Sequence, residues 1–528
     1  GTFSTLCVLF ACVYWHHDPR RRWLIGAGVS AGLALLSKSP SLVLLPVVGV
    51  VALLATTKDR RPSTKDQNSI GPWHAFVFGR WSFVGPLALW LAFTAATVFA
   101  LWPTLWVGPM QAFDGLRFGV VSEGAEPHML GNYFLGREDN APGLLFYPVA
   151  TVLRLTPWTL LGLVMLPWAW RAARRAERKD LAALAGFVVL FVIALSPFPK
   201  KFNRYLVPVF PALDILAAYS LVWGIEQLTH LGRRLAWRGA MGQQMAPLLL
   251  SVVGVAALLN VAMWHPYEIA AFNQALGGAR AGAQTFTIGW GEGLEQVAAW
   301  LNQQPDITGV QTASTQAATL QPYLRPGAQA LTPSGELPDQ AGYAVIYVRD
   351  AQDGWPGAPF DLFYGQRPIH TVRIAGVDYA WIYQVPPRMA RTRSALFGRD
   401  LQLRGYTDSP TQQGQPLRLK LSWKVLGRPA SDYTLFAHLI GADGQRYVQV
   451  DLPHPTSQWE ADRYLTSELI VLLPASLKAG TYQLVIGWYD PATGQRLPLI
   501  APIKQRSVTD GPDSLVLMEL TFNQSSAG

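Results

Sequence analysis

Lys200, Lys201 and Arg204 stand almost side by side in "LSPFPKKFNRYLVPVFPALDILAAYSLVWG" (195–224), between two runs fit for hydrocarbon. Lysine and arginine donate charge-assisted hydrogen bonds and suit phosphate oxygens. Each such cation at a bilayer centre costs about 2.5–3.5 kcal/mol on insertion scales. Side chains of this kind therefore either snorkel to the interface or meet an anion. Lys38, in "LALLSKSPSLVLLP", occupies a similar break between apolar runs. A third polar patch, "VSEGAEPHMLGNYFLGREDNAPG", carries His128 and Tyr133 with Glu123, Glu126, Glu138 and Asp139 nearby.

The elements that position these groups are hydrophobic. Half of the 528 residues are apolar and only 15% are charged. The apolar residues crowd before residue 265, in runs such as "SFVGPLALWLAFTAATVFALW" and "APLLLSVVGVAALLNVAMW" that approach the ~20 residues needed to cross a bilayer. Eight spans are expected, near 2–15, 23–37, 40–56, 83–102, 144–170, 181–197, 205–224 and 246–264. Pro148 and Pro157 interrupt the fifth, whose first part is expected to lie along the interface.

The net charge of +9 sits in alternate short loops: "RRR" (20–22), "KDRRPSTK" (58–65), "RAARRAERK" (171–179) and "RRLAWR" (233–238). That pattern orients a multi-pass protein with these loops cytoplasmic, and it argues against nucleic acid as a partner. Lys38, the 196–204 loop, residues 103–143 and everything after 264 then fall on the extracytoplasmic side of a cell inner (plasma) membrane. An anionic headgroup there, such as a polyprenyl phosphate, accounts for cations that the positive-inside tendency disfavours. A phosphate that is also the leaving group would be stabilised by the same side chains in the transition state.

Cys7 and Cys12 are the only cysteines. A ~7.5 Å rise along a helix separates them, too far for a disulfide, so both read as packing residues. The opening "GTFSTLCVLF" lies already inside an apolar run without methionine and reads as continuing from upstream helices.

Beyond residue 264 the chain becomes polar. "GWGEGLEQVAAWLNQQ" (289–304) reads as a glycine turn into an amphipathic helix with Leu294, Val297, Ala298 and Leu301 on one stripe. "YAVIYVRD", "PIHTVRIAG" and "YAWIYQV" read as strands of a small α/β module. Further on, "LRLKLSWKV" alternates at every position, and "YTLFAHLIGADGQRYVQVDL" (433–452) reads as a hairpin around Asp443-Gly444. "TYQLVIGWYDPATGQRLPL" (481–499) repeats that form, which together suggests a β-sandwich. The expected architecture is a polytopic α-helical membrane domain (1–264), a small α/β module (265–390) and a C-terminal antiparallel β-sandwich (391–528).

No zinc-ligand spacing surrounds His438 and His454, which read as sheet-surface or loop residues. His16-His17 beside "DPRRR" reads as part of a cytoplasmic loop. No metal and no cofactor is expected. Trp423 and Trp488 read as core, and Trp459, in a loop, as the candidate for stacking on sugar. Asp214 is a carboxylate within an apolar run, read as a helix-packing group or half of an ion pair.

"KKFNRYLVPVFPAL" resembles the K-x-x-x-Y-x-x-P-x-x-P-x-L stretch of glycosyltransferase family 39, which includes protein O-mannosyltransferases and the lipid A aminoarabinose transferase. "LALLSKSPSLVLLP" is similar to that family's Thr-Lys-Gly/Ser helix break, and "HMLGNYFLGREDNAPGLLFYPVATVLRLTPW" to its His-plus-aromatic loop. The three occur in family order. The resemblance implies a GT-C fold and transfer of a sugar from a polyprenyl-phosphate donor to a protein or cell-envelope glycan. It implies donor-phosphate binding by Lys38, Lys200 or Lys201, Arg204 and Tyr205, with His128 and Tyr133 near the sugar or acceptor. The family's catalytic acid lies upstream of the position matching residue 1, so no catalytic residue is assigned and the chain alone is expected to be incomplete. A transporter or flippase built on broken helices, or a membrane-anchored glycan-binding protein, are the competing readings.

Overall fold

The computed structural model describes residues 1–37, 39–56, 84–119, 126, 131–234, 240–354, 356–501 and 510–522. Lys38, Glu123 and His128 fall outside them. The chain divides into two compact units. One comprises Gly1–Trp290 with Gln352–Gly354 and Ile374–Val377, and the other comprises the rest from Gly291 onward.

The first unit is helical, and helix occupies each of the eight apolar ranges. Its helices are α1 (Thr2–Cys12), α2 (Arg21–Ser37), α3 (Leu44–Thr56), α4 (Val84–Leu101), two short segments α5 (Thr104–Val107) and α6 (Pro109–Arg117), α7 (Phe146–Arg154), α8 (Pro157–Ala172), α9 (Arg175–Leu195), α10 (Phe210–Arg234), α11 (Ala240–Ala262) and α12 (Gly278–Thr285). Among the described residues, three helical stretches are long and apolar enough to cross a membrane: Val84–Leu101, Asn203–Leu231 and Met245–Ala262. The fifth range is broken at Pro157, while Pro148 sits within the first turn of α7 and does not interrupt it. α7 and α8 meet at 114°, and Pro157 opens α8 behind Thr156, whose hydroxyl caps the Thr159 amide at 3.1 Å.

Small residues let these helices approach closely. A Cβ added at Gly28 of α2 would stand 2.7 Å from the Trp90 carbonyl oxygen of α4, and one at Gly32 would stand 2.9 Å from that of Thr94. Thr94 Oγ1 donates to the Gly28 carbonyl at 3.2 Å across the same seam. At the α8–α10 crossing, a Cβ on Gly162 would meet the Ala217 carbonyl oxygen at 2.5 Å. Glycines at these crossings, with a hydroxyl–carbonyl bond beside one of them, let the helix backbones pack at close range.

Past α11, residues 265–290 stay with the helices. The Asn273 amide donates to the Leu153 carbonyl at 2.7 Å, and Arg154 donates to the carbonyls of Ile269 and Ala271 while lying 3.9 Å over the Phe272 ring. A two-strand ribbon, β1 (Tyr133–Phe134) and β2 (Arg137–Glu138), turns through Leu135 and Gly136, both at positive φ. Phe134 joins Phe146 and Phe286 in a ring cluster with centroids 5.2–5.9 Å apart.

The second unit begins with α13 (Leu294–Leu301), whose stripe Leu294, Val297, Ala298 and Leu301 is fully buried as its periodicity predicts. Gly293 at positive φ makes the turn into it. The strands that follow are β3 (Gln311–Ser314), β4 (Gln329–Leu331), β5 (Ala341–Tyr347), β6 (His370–Ile374) and β7 (Val377–Gln384), in the order β4-β3-β5-β7-β6, with the β3 pairings parallel and β5–β7 antiparallel.

The C-terminal strands are antiparallel: β8 (Arg391–Phe397), β9 (Leu401–Asp408), β10 (Pro416–Val425), β11 (Thr434–Gly441), β12 (Arg446–Pro453), β13 (Tyr464–Leu472), β14 (Gly480–Tyr489), β15 (Leu499–Ala501) and β16 (Leu515–Phe522). They form two sheets, β13-β10-β9-β8-β15 and β12-β11-β14-β16. Leu417, Leu419, Leu421 and Trp423 from the first share one core with Leu435, Ala437, Leu484 and Trp488 from the second, and the Trp423 and Trp488 rings meet at 5.0 Å. The 433–452 segment is the expected hairpin, with Gly444 at positive φ in its turn. The 481–499 segment folds back on itself only briefly. Tyr489 bridges Arg496, the Asp490 amide donates to the Gln495 carbonyl and the Leu497 amide to the Trp488 carbonyl, each at 2.8 Å, but β14 otherwise pairs with β11 and β16, and Leu499 pairs with β8 in the other sheet. Pro498, which has no N–H to give a ladder, stands where the chain leaves.

Candidate functional site

The 196–204 loop closes α9 and leads through a 3₁₀ turn (Asn203–Val209) into α10, so its cations sit on a rigid joint between two helices. Lys201 is 3% exposed. Its Nζ donates to the Phe198 carbonyl at 2.8 Å, which uses one of three ammonium donors. Burial pushes its pKa below the usual lysine value, while the charge of Asp139 opposes that shift.

Two neighbours fix the backbone here. Asn132, 3% exposed, donates from Nδ2 to the Lys201 carbonyl at 2.7 Å, and its Oδ1 accepts from the Tyr133 amide at 3.1 Å. The same amide donates to Thr287 Oγ1 at 2.9 Å. Asn132 thus ties the Tyr133 strand to the lysine loop. On the other side, Phe202 packs edge-on to Tyr205 (5.4 Å) and Trp290 (5.5 Å). The Arg204 guanidinium lies 4.6 Å over Phe202 and 4.2 Å over Trp290, while its residue stays exposed. The buried Tyr147 of α7 meets the Phe202 backbone and neighbours Tyr205.

The helical unit therefore brings together Lys201, Arg204, Tyr205 and, through Asn132, Tyr133. Lys200 is half-buried beside them. Lys38 and His128 lie outside the described residues. A buried ammonium with one hydrogen-bond acceptor among the described residues, three positions before a guanidinium lying over two rings, carries donors that suit a phosphate-like anion. Sequence reasoning missed Asn132 and Trp290, although both lie inside stretches already singled out. Asn132 directly precedes Tyr133, and Trp290 sits in a glycine loop read only as a turn.

Other candidates resolve differently. Asp214 of α10 accepts from Thr159 Oγ1 at 2.9 Å, a packing link between α8 and α10. Trp459 is half-buried, with its ring 5.3 Å from His454 and 5.9 Å edge-on to Trp488, so part of its surface already serves the core. His438 is not on a sheet surface. It is 3% exposed and hydrogen-bonds Asp510 at 3.0 Å, a residue too distant in sequence to be foreseen as its partner. His16 and His17 are not in a free loop either. They end a π-helical turn (Val13–His17), and both hydrogen-bond the Asp180 carboxylate at 2.7 Å.

No protein-family model and no curated protein matches this chain.

Proposed function

We propose that the chain is the donor-binding part of a GT-C-type membrane glycosyltransferase resembling family 39. It would hold a polyprenyl-phosphate-linked sugar on the extracytoplasmic side of the inner (plasma) membrane and pass the sugar to a protein or glycan acceptor. Lys201 and Arg204 grip the phosphate, Lys38 and Lys200 add positive charge, Tyr205 adds a hydroxyl, and Tyr133 with His128 borders the sugar or acceptor. The C-terminal sheets form a β-sandwich outside the membrane.

The observation that carries this reading is the buried Lys201 ammonium, with one protein acceptor among the described residues, in the same loop as an Arg204 braced on Phe202 and Trp290. A buried cation is costly unless anions complete it; Asp139 supplies part of that charge, and a lipid phosphate at a membrane interface would supply the rest. The helical ends agree with the proposed topology. His16 and His17, beside one basic loop, contact Asp180, beside another, as two cytoplasmic loops would.

The test is binding of a polyprenyl phosphate to the full chain in detergent, read by native mass spectrometry. Lys201→Ala and Arg204→Ala should each weaken binding by about 10–100-fold, the worth of a charged hydrogen bond. Wild-type affinity in both would overturn the assignment.

A further inference from the structure

The sequence predicts no metal ligands, yet the end of α1 gathers a set of them. We infer that Cys12, His16 and Asp180 bind a transition-metal ion of the zinc class, fastening the first helix to α9. Cys12 Sγ, a ring nitrogen of His16 and a carboxylate oxygen of Asp180 all lie within 4.8 Å of one another. Thiolate, imidazole and carboxylate are the three zinc donors, and ligands on one tetrahedral ion lie roughly 3.3–3.8 Å apart given bond lengths of about 2.0–2.3 Å. The cluster is thus within about an ångström of coordination distance without any change in backbone course.

A second observation points to a missing partner. The His16 side chain is 3% exposed, and its Nε2 is buried with no hydrogen-bond partner among the described residues. A ring nitrogen taken from water needs a proton acceptor, a donor or a metal. Its Nδ1 meets Asp180 Oδ1 at 2.7 Å, a bond that opens when the carboxylate turns to the ion. Asp180 Oδ2 meets the partly exposed His17 Nε2 at 2.7 Å, a bond that steadies the carboxylate beside the site.

The local backbone explains how these groups converge. Cys12 is the last residue of α1, and the π-helical turn (Val13–His17) follows it directly. The wider turn carries both histidines toward Asp180 of α9, and such turns recur at functional sites. When the ion binds, Cys12 loses its thiol proton to solvent, while His16 binds as a neutral imidazole that keeps its Nδ1–H.

The experiment uses the untagged full chain in detergent, stripped with chelator and titrated with Co²⁺, which occupies zinc sites and reports thiolate ligation by its near-ultraviolet charge-transfer band. One equivalent should bind with that band and with the visible spectrum of tetrahedral Co²⁺, and Zn²⁺ should displace it. Cys12→Ser should abolish the band and Cys7→Ser should leave it. Asp180→Asn should weaken Co²⁺ binding by about 10–100-fold. A wild-type chain that shows no charge-transfer band in excess Co²⁺, or a band that persists in Cys12→Ser, would overturn the site. The wild-type titration decides the matter even if a variant fails to fold.

Discussion

Arg204 holds its guanidinium 4.2 Å from the ring centroid of Trp290, a residue 86 positions later in the chain. Two rings, Phe202 and Trp290, restrain a long side chain whose residue is otherwise exposed. Such contacts are worth about 0.5–1 kcal/mol each at exposed sites. Their larger effect is to pre-pay the rotamer entropy that phosphate binding would demand. Trp290→Leu is expected to weaken polyprenyl-phosphate binding by about 3–10-fold while leaving the melting temperature nearly unchanged. Unaltered affinity in titrations of that variant would separate the ring from the site.

Asn132 supports a second expectation. Its amide donates to Lys201 and accepts from Tyr133, so one buried side chain spans both halves of the candidate site. Asn132→Ala leaves the Lys201 carbonyl without this donor, and stability should fall by about 1–3 kcal/mol. Asn132→Asp keeps the acceptor but sets a carboxylate oxygen against the Lys201 carbonyl, so it should be no better than alanine. Thermal unfolding of the three proteins side by side reads this out. An aspartate variant as stable as wild type would mean the bond to Lys201 contributes little.

The helical contacts predict an asymmetry between glycines. A Cβ at Gly162 would fall 2.5 Å from a backbone oxygen and 2.7 Å from the Cα of Ala217, atoms that cannot rotate away. At Gly254 nothing lies within 4 Å. Gly162→Ala should therefore force α8 and α10 apart and destabilise by about 1–3 kcal/mol. Gly254→Ala should be neutral or slightly stabilising through helix propensity. Similar melting temperatures for both would show that the α8–α10 seam yields easily.

How much of this was legible in the sequence depended on the range of the interaction. Apolar runs located the helices, and Pro157 located the bend, because both follow from local backbone chemistry, whereas Pro148 is absorbed in the first turn of α7. Alternation along 417–425 located β10, and Asp443-Gly444 located the β11–β12 hairpin in the other sheet. What stayed hidden was long-range. Asn132 reaches Lys201, Trp290 reaches Arg204, and Asp180 gathers Cys12 and His16, all by partners chosen in the fold rather than by spacing. Residues 481–499 misled for the same reason. Their local pattern matches a hairpin, but the strand after Pro498 finds its partner in another sheet.

Asp510 gives the last prediction a definite pH window. Burial opposes its ionisation, yet hydrogen bonds from His438 and Ser514 and the charges of His438 and Arg496 outweigh that and hold the carboxyl down to about 2. An unfolded aspartate titrates near ~3.9. As pH falls, the unfolded chain therefore takes up its proton first. The stabilisation is whole above about pH 4 and is gone below about pH 2, amounting to about 2.5 kcal/mol. Asp510→Asn lacks this contribution at every pH. Melting temperatures of the full chain measured from pH 6 to pH 2 should show wild type above the variant at pH 6, with the gap closing between about pH 4 and pH 2. A gap that stays constant through that window would mean the Asp510 carboxylate is not what links β11 to the segment before β16.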